Sequence, residues 1–121
     1  MKTKSLFDSL KNAFFGIRAT AKRERNFRIQ VIIACAAVLV CIVFQVSAAL
    51  FLLVAFAIFF VLGMELVNTA IEAIVDIICS KKPHPLAKIA KDAAAGAVLL
   101  SSVFAIVVGI VVLTDIIRRF V

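Results

Sequence analysis

Met64-Glu65-Leu66-Val67-Asn68-Thr69-Ala70-Ile71-Glu72-Ala73-Ile74-Val75-Asp76 follows, with no loop signal, on an apolar run that begins at Ala48. Glu65, Asn68, Glu72 and Asp76 are spaced three, four and four residues apart. At about 100° per residue they fall within about 80° of one helix face. Three carboxylates and an amide on one stripe, at or just inside a membrane, are costly to place and are not accounted for by packing. The stripe is where chemistry is expected. Read as one helix, Ala48 to Cys79 is 32 residues long. It would measure about 48 Å, more than the hydrocarbon core of a bilayer. It must protrude on one side, and the protruding end is the acidic one.

Composition supports lipid as the solvent. The chain has 121 residues, enough for one compact unit, and 64% of them are hydrophobic. A mean hydropathy of +1.16 is more than a soluble fold of this size can hide from water. Charge is segregated. Of 14 Lys and Arg, eight lie in residues 1–28, four between Lys81 and Lys91, and two are Arg118 and Arg119. The net charge of +7 therefore reads as attraction to membrane surfaces and phosphate. Nucleic acid is excluded as a partner, because Trp and Tyr are absent and no soluble basic face carries interleaved aromatics. Cys35, Cys41 and Cys79 have neither disulfide nor metal-site spacing and read as small packing residues. The charged first 28 residues lack the pattern of a cleavable signal, so the first apolar segment is expected to stay in the protein.

The fold class expected is an all-α integral membrane protein: three transmembrane helices and an N-terminal amphipathic surface helix in a single domain, 1–121. The surface helix is placed at about 5–26, capped by Ser5. Leu6, Phe7, Leu10, Phe14 and Ile17 lie on one side, and Lys11, Arg18 and Lys22 on the other. A basic cluster follows in which one acid, Glu24, stands among Lys22, Arg23, Arg25 and Arg28. The spans are placed at about 28–46, apolar from Ile29 to Phe44 apart from Gln30, and at 48–79 and 86–117. Gln45-Val46-Ser47 is an uncharged break, and Ser80-Lys81-Lys82-Pro83-His84-Pro85 is the strong loop signal. In the last span Ala93 to Ala97 and Ser101 are small enough for close helix approach in lipid. The basic residues place the N-terminus and the Pro-containing loop in the cytoplasm and the 45–47 turn outside. Arg118 and Arg119 run against that rule.

This topology brings Glu24, the acidic stripe, the Lys-rich loop and Lys91-Asp92 to one depth at the cytoplasmic boundary. Carboxylates hold Mg²⁺, lysines neutralise a transferring phosphoryl group, and a further carboxylate accepts the proton of an attacking hydroxyl. Neither a phosphate-binding glycine loop nor the protein-kinase motif set is present, since the glycines are only Gly16, Gly63, Gly96 and Gly109. Two other readings compete: polar glue in a non-catalytic membrane oligomer, and an ion path. A path should continue the stripe across the bilayer, whereas residues 48–64 hold no ionisable group. His84, alone between prolines, reads as a loop residue before it reads as a catalytic one.

Glu65 to Asp76 resembles the E-x-x-N-[TS]-A-I-E-x-x-x-D signature of the prokaryotic diacylglycerol kinase family. Ala90-Lys91-Asp92, with the small-residue run to Ala97-Val98-Leu99, is similar to its second motif. Gly16-Ile17-Arg18-Ala19 and the segment from Glu24 to Phe27-Arg28 resemble its N-terminal part. The resemblance implies a homotrimer with active sites shared between subunits, in a bacterial cell membrane. It also implies ATP and a divalent metal, used to phosphorylate a lipid hydroxyl. On the matching positions it makes Glu65 the catalytic base and Glu24 and Glu72 the metal ligands. It gives Lys91 and Asp92 to the nucleotide, and Lys81, Lys82 and His84 to the loop that approaches it. Asn68 and Asp76 become further polar positions of the site, and Arg18 and Arg28 contacts for headgroup or phosphate. His84-Pro85-Leu86-Ala87-Lys88 and Ala93-Ala94-Ala95-Gly96-Ala97 resemble the Gram-positive branch, mostly undecaprenol kinases. There Ala95 replaces a serine of the Gram-negative enzymes near the lipid site. Undecaprenol is accordingly the expected acceptor and diacylglycerol the alternative.

Overall fold

A computed structural model describes residues 5–80 and 82–121. Among these residues lie four helices: α1 (Leu6–Arg23), α2 (Arg25–Val43), α3 (Ala48–Cys79) and α4 (Pro85–Phe120). No strand occurs among the described residues. The protein is thus all-α, and α2, α3 and α4 are each long and apolar enough to cross a membrane. Ile32, Leu52, Phe59 and Leu100 face outward on these three helices, as lipid-facing residues do.

The breaks between helices are set by local chemistry. Ser5 accepts a hydrogen bond from the Asp8 N–H at 3.2 Å and starts α1. α1 ends sooner than its apolar spacing implies, because Glu24 adopts an extended backbone (φ −106°, ψ 114°). That one residue closes α1 and opens α2, and its side chain caps neither helix. The orphaned carbonyls of Ala21 and Lys22 are instead taken by the Arg28 guanidinium at 2.8 and 3.0 Å. Thr20 and Phe27 are buried at this corner.

Between α2 and α3, Gln45 turns the chain with a positive φ of 49°, and the Ser47 hydroxyl caps α3 by accepting from the Leu50 N–H at 3.2 Å. The α3–α4 connection turns at Ser80, also left-handed (φ 45°). The His84 ring then caps α4, its Nδ1 accepting from the Leu86 N–H at 3.1 Å, with Pro85 in the first turn.

Packing is tightest between α3 and α4, which run as a hairpin with α2 laid against α3. Cys41, Val54, Ala57, Val108, Val112 and Ile116 form a buried cluster where the three spans meet. Phe56 and Phe60 enclose Phe104 edge-on, with ring centroids 5.8 and 6.1 Å away. In the small-residue run, Ala94 is buried, as is Ser101 further along, whereas Ala93 and Ala95 face outward. A side-chain carbon added at Gly96 or Gly109 would meet nothing within 4 Å. Most of the small surface of α4 is thus left unused within one chain.

Arg119 has a local task that explains its presence against the charge rule. Its Nη2 donates to the Phe44 carbonyl at 2.8 Å, and its Nε lies 3.4 Å from Asp115. The Phe120 ring meets Phe44 edge-on at 5.8 Å. The end of α4 therefore caps the end of α2. Arg119→Ala should lower stability by about 1 kcal/mol, the scale of one charged hydrogen bond at a partly exposed site. Thermal unfolding in detergent measures this, with Arg118→Ala as the neutral control.

Candidate functional site

The polar stripe of α3 is partitioned by its neighbours into an acidic part and a basic part. Glu65 to Asp76 spans about 16 Å along the helix at 1.5 Å per residue. At the apolar end, Glu65 is only 3% exposed. A carboxylate this buried needs a compelling reason to remain. The Gln30 amide of α2 faces it, and Glu24 and Glu72 lie within electrostatic reach. One turn on, the Asn68 Nδ2 donates to Glu72 Oε1 at 2.7 Å and fixes that carboxylate. The α1–α2 break brings Glu24 here, a quarter exposed and in a loose 3.6 Å pair with Arg23. Glu24, Glu65, Asn68 and Glu72, far apart in sequence, thus share one neighbourhood.

This neighbourhood suits a hard cation. Asn68 Oδ1 is buried with no hydrogen-bond partner, beside the Glu72 carboxylate that its own amide nitrogen orients. No trio of His, Cys, Asp or Glu is preassembled into a closed metal cage among the described residues. An open set of one or two carboxylates and an amide oxygen matches Mg²⁺, which keeps several waters and takes further ligands from phosphates.

The basic part surrounds a cavity of about 650 Å³ between the end of α3, the loop and the start of α4. Asp76, Lys82, His84, Lys88, Lys91 and Asp92 line it. Lys91 Nζ is 2.7 Å from Asp76 across the helix pair, and Lys88 Nζ is 2.6 Å from Asp92 one turn along α4. Both pairs are exposed, so each adds little to stability, and their lysines remain available to an anion of higher charge. His84 reaches the cavity rim while its Nδ1 serves the helix cap, and Lys81 lies outside the described residues.

Three expected positions stand apart. Arg18 is exposed on α1, Arg28 is engaged with the α1 carbonyls, and Ala95 is exposed on α4 and lines neither this cavity nor the apolar one between the spans. Conversely, sequence reasoning passed over Lys88, whose i,i+4 spacing to Asp92 was available, and Gln30, visible only as a lone amide in an apolar run. It also passed over Thr69, whose buried hydroxyl has no partner.

The family model described as prokaryotic diacylglycerol kinase matches residues 11–113. A protein of Bacillus subtilis named undecaprenol kinase is 41% identical over 106 residues, 88% of this chain and 85% of that protein. One of Synechocystis sp. named diacylglycerol kinase is 37% identical over 105 residues, 87% of this chain and 60% of that protein.

Proposed function

The chain belongs to the prokaryotic diacylglycerol kinase family, and from that premise we propose that it is a lipid kinase that transfers the γ-phosphoryl group of ATP to the hydroxyl of undecaprenol. The observation that carries the mechanism is the buried Glu65 at the lipid end of a stripe whose other end borders a lysine-lined cavity. Undecaprenol is preferred because the similarity to the undecaprenol kinase covers most of both chains. Diacylglycerol is the second reading, supported by the Synechocystis relative.

Glu65 accepts the proton of the lipid hydroxyl. The alcohol oxygen then bonds to the γ-phosphorus, the bond from that phosphorus to the bridging oxygen of ADP breaks, and ADP leaves with the electron pair. Burial beside the apolar run puts this carboxylate where a lipid head arrives and water does not. Glu24 and Glu72 would hold Mg²⁺, with Asn68 orienting Glu72; the ion supplies charge neutralisation across the nucleotide phosphates. Lys91 leaves Asp76 for the nucleotide phosphates, with Asp92, Lys82 and His84 around it and Arg18 and Arg28 toward the lipid surface. α1 lies in the headgroup layer, its exposed Leu6, Phe7, Phe14 and Phe15 in the acyl boundary. The N-terminus and the loop before α4 face the cytoplasm of a bacterial cell, and the outward Ala93, Ala95 and Gly96 surface of α4 packs against copies in a homotrimer.

Glu65→Gln should reduce turnover at least about a hundredfold, the scale of a lost general base, while ATP binding persists. Substantial residual activity would remove the base assignment. Glu72→Ala should raise the Mg²⁺ concentration needed for half-maximal rate at least about tenfold; an unchanged Mg²⁺ dependence counts against the ligand role. In mixed micelles with labelled ATP, undecaprenol should be labelled in preference to diacylglycerol. The opposite preference favours the second reading, and no labelled lipid at all favours a non-catalytic oligomer or ion path.

A further inference from the structure

Thr20-Ala21-Lys22-Arg23-Glu24-Arg25-Asn26-Phe27-Arg28 holds neither glycine nor proline. Ala, Lys, Arg and Glu all favour helix, so local propensity would carry α1 into α2 without a break. The competing structure is one straight helix, and the bend at Glu24 has to be held by something other than backbone preference. Part of the hold is the burial of Thr20 and Phe27 on either side of the bend. The rest is the Arg28 side chain.

The hydrogen bonds at the corner show how. The Glu24 N–H donates to the Thr20 carbonyl at 2.7 Å, and the Arg28 N–H to the Glu24 carbonyl at 3.4 Å, both in helical register. Between them, a straight helix would join the Arg25 and Asn26 N–H groups to the Ala21 and Lys22 carbonyls. Neither bond occurs among the described residues. Arg28 Nη1 donates to those same two carbonyls instead, at 2.8 and 3.0 Å. The guanidinium thus occupies the acceptors through which α1 would be extended, and it ties the first turns of α2 to the last turn of α1. Glu24 is the vertex. Its side chain caps neither helix and lies within electrostatic reach of Glu65 on α3. A change of angle at this corner moves Glu24 relative to Glu72.

We propose that Arg28 is a positioning residue for Glu24: by occupying the Ala21 and Lys22 carbonyls it keeps α1 and α2 from fusing into one helix, and so holds the Glu24 carboxylate beside Glu65 and Glu72. In this role Arg28 acts through the backbone and touches neither metal nor substrate. The inference rests on the reading of Glu24 as a ligand to a divalent cation, and Glu24→Ala run in parallel tells failure of that reading from failure of this one.

The probe is Mn²⁺, followed by its EPR signal in the presence of a non-hydrolysable ATP analogue, so that binding is read without turnover. Arg28→Ala should weaken Mn²⁺ binding at least about tenfold, the scale of losing a group that orients a ligand. Arg25→Pro supplies the discriminating variant. The Arg25 N–H, at the first position of α2, has no acceptor to lose among the described residues. Proline there forbids a straight helix and biases the preceding residue to φ about −120° and ψ about 120–160°. Glu24 already lies close to that region, at φ −106° and ψ 114°. Arg25→Pro combined with Arg28→Ala should therefore recover most of the Mn²⁺ affinity, and kcat with it, although the cation at position 28 is still missing. If Arg28 worked only by touching a phosphate or a headgroup, proline could not replace it, so absence of recovery overturns the proposal. Unchanged Mn²⁺ binding by Arg28→Ala, with Glu24→Ala weakened, overturns it alone. Normal binding by Glu24→Ala overturns the ligand reading and this inference with it. Where Arg28→Ala does not fold, Arg25→Pro with and without Arg28→Ala carries the test: equal affinities support the proposal, and a gap of about tenfold overturns it.

Discussion

The continuity of α3 is the constraint on which the rest of the structure depends. A helix satisfies its own backbone groups, so it can pass from hydrocarbon into the interface without exposing an unpaired N–H or C=O. Side chains along it then sample a change of solvent at fixed spacing. Val54 and Ala57 lie in the apolar core, Glu65 is buried just past the apolar run, and Asp76 reaches Lys91 in the open. A loop anywhere between Ala48 and Asp76 would break that ordering. Ser47 and Ser80 end the helix outside the working region, one by a side-chain cap and the other by a left-handed turn.

Everything around α3 supplies a complement that α3 cannot make for itself. The extended backbone at Glu24 turns the chain and delivers a carboxylate at the same point, because the capping of α1 falls to Arg28 instead. The loop into α4 is capped by His84, which sets Lys88, Lys91 and Asp92 at the mouth of a cavity beside Asp76. At the opposite end Arg119 ties α4 to the turn after α2. The far end of the bundle is held by one cation on a helix terminus, and the near end keeps Lys88 and Lys91 in exposed pairs.

Much of this was legible because membrane sequences advertise cost. Glu65, Asn68, Glu72 and Asp76 stand out against an apolar background, and helical periodicity puts them on one face before any coordinates exist. The three spans and the Pro-containing loop follow from hydropathy and the missing donors of proline. What periodicity cannot see is contact between helices. Whether Arg28 meets a phosphate or two carbonyls, or Arg119 a turn 74 residues away, depends on tertiary placement that one helix's pattern does not encode. The small-residue run shows the same limit. Its composition predicts close approach, yet the faces of Ala93, Ala95 and Gly96 are not turned to a neighbour within the chain.

Orphaned polar atoms carry information that neither pattern nor packing holds. Paired groups such as Lys88 and Asp92 are explained by each other. Gln30 Oε1, Asn68 Oδ1 and Thr69 Oγ1 are not, and their cost in a low-dielectric setting is borne only if something outside the chain completes them. They lie near Glu65 rather than near the better-paired Asp76, so the two ends of the stripe differ in how completely their polar groups are satisfied. At the lysine-lined end each cation shown in a pair has an exposed carboxylate partner. The Glu65 end leaves three buried oxygens unpaired, beside an apolar cavity whose polar lining residues include Gln30 and Ser102.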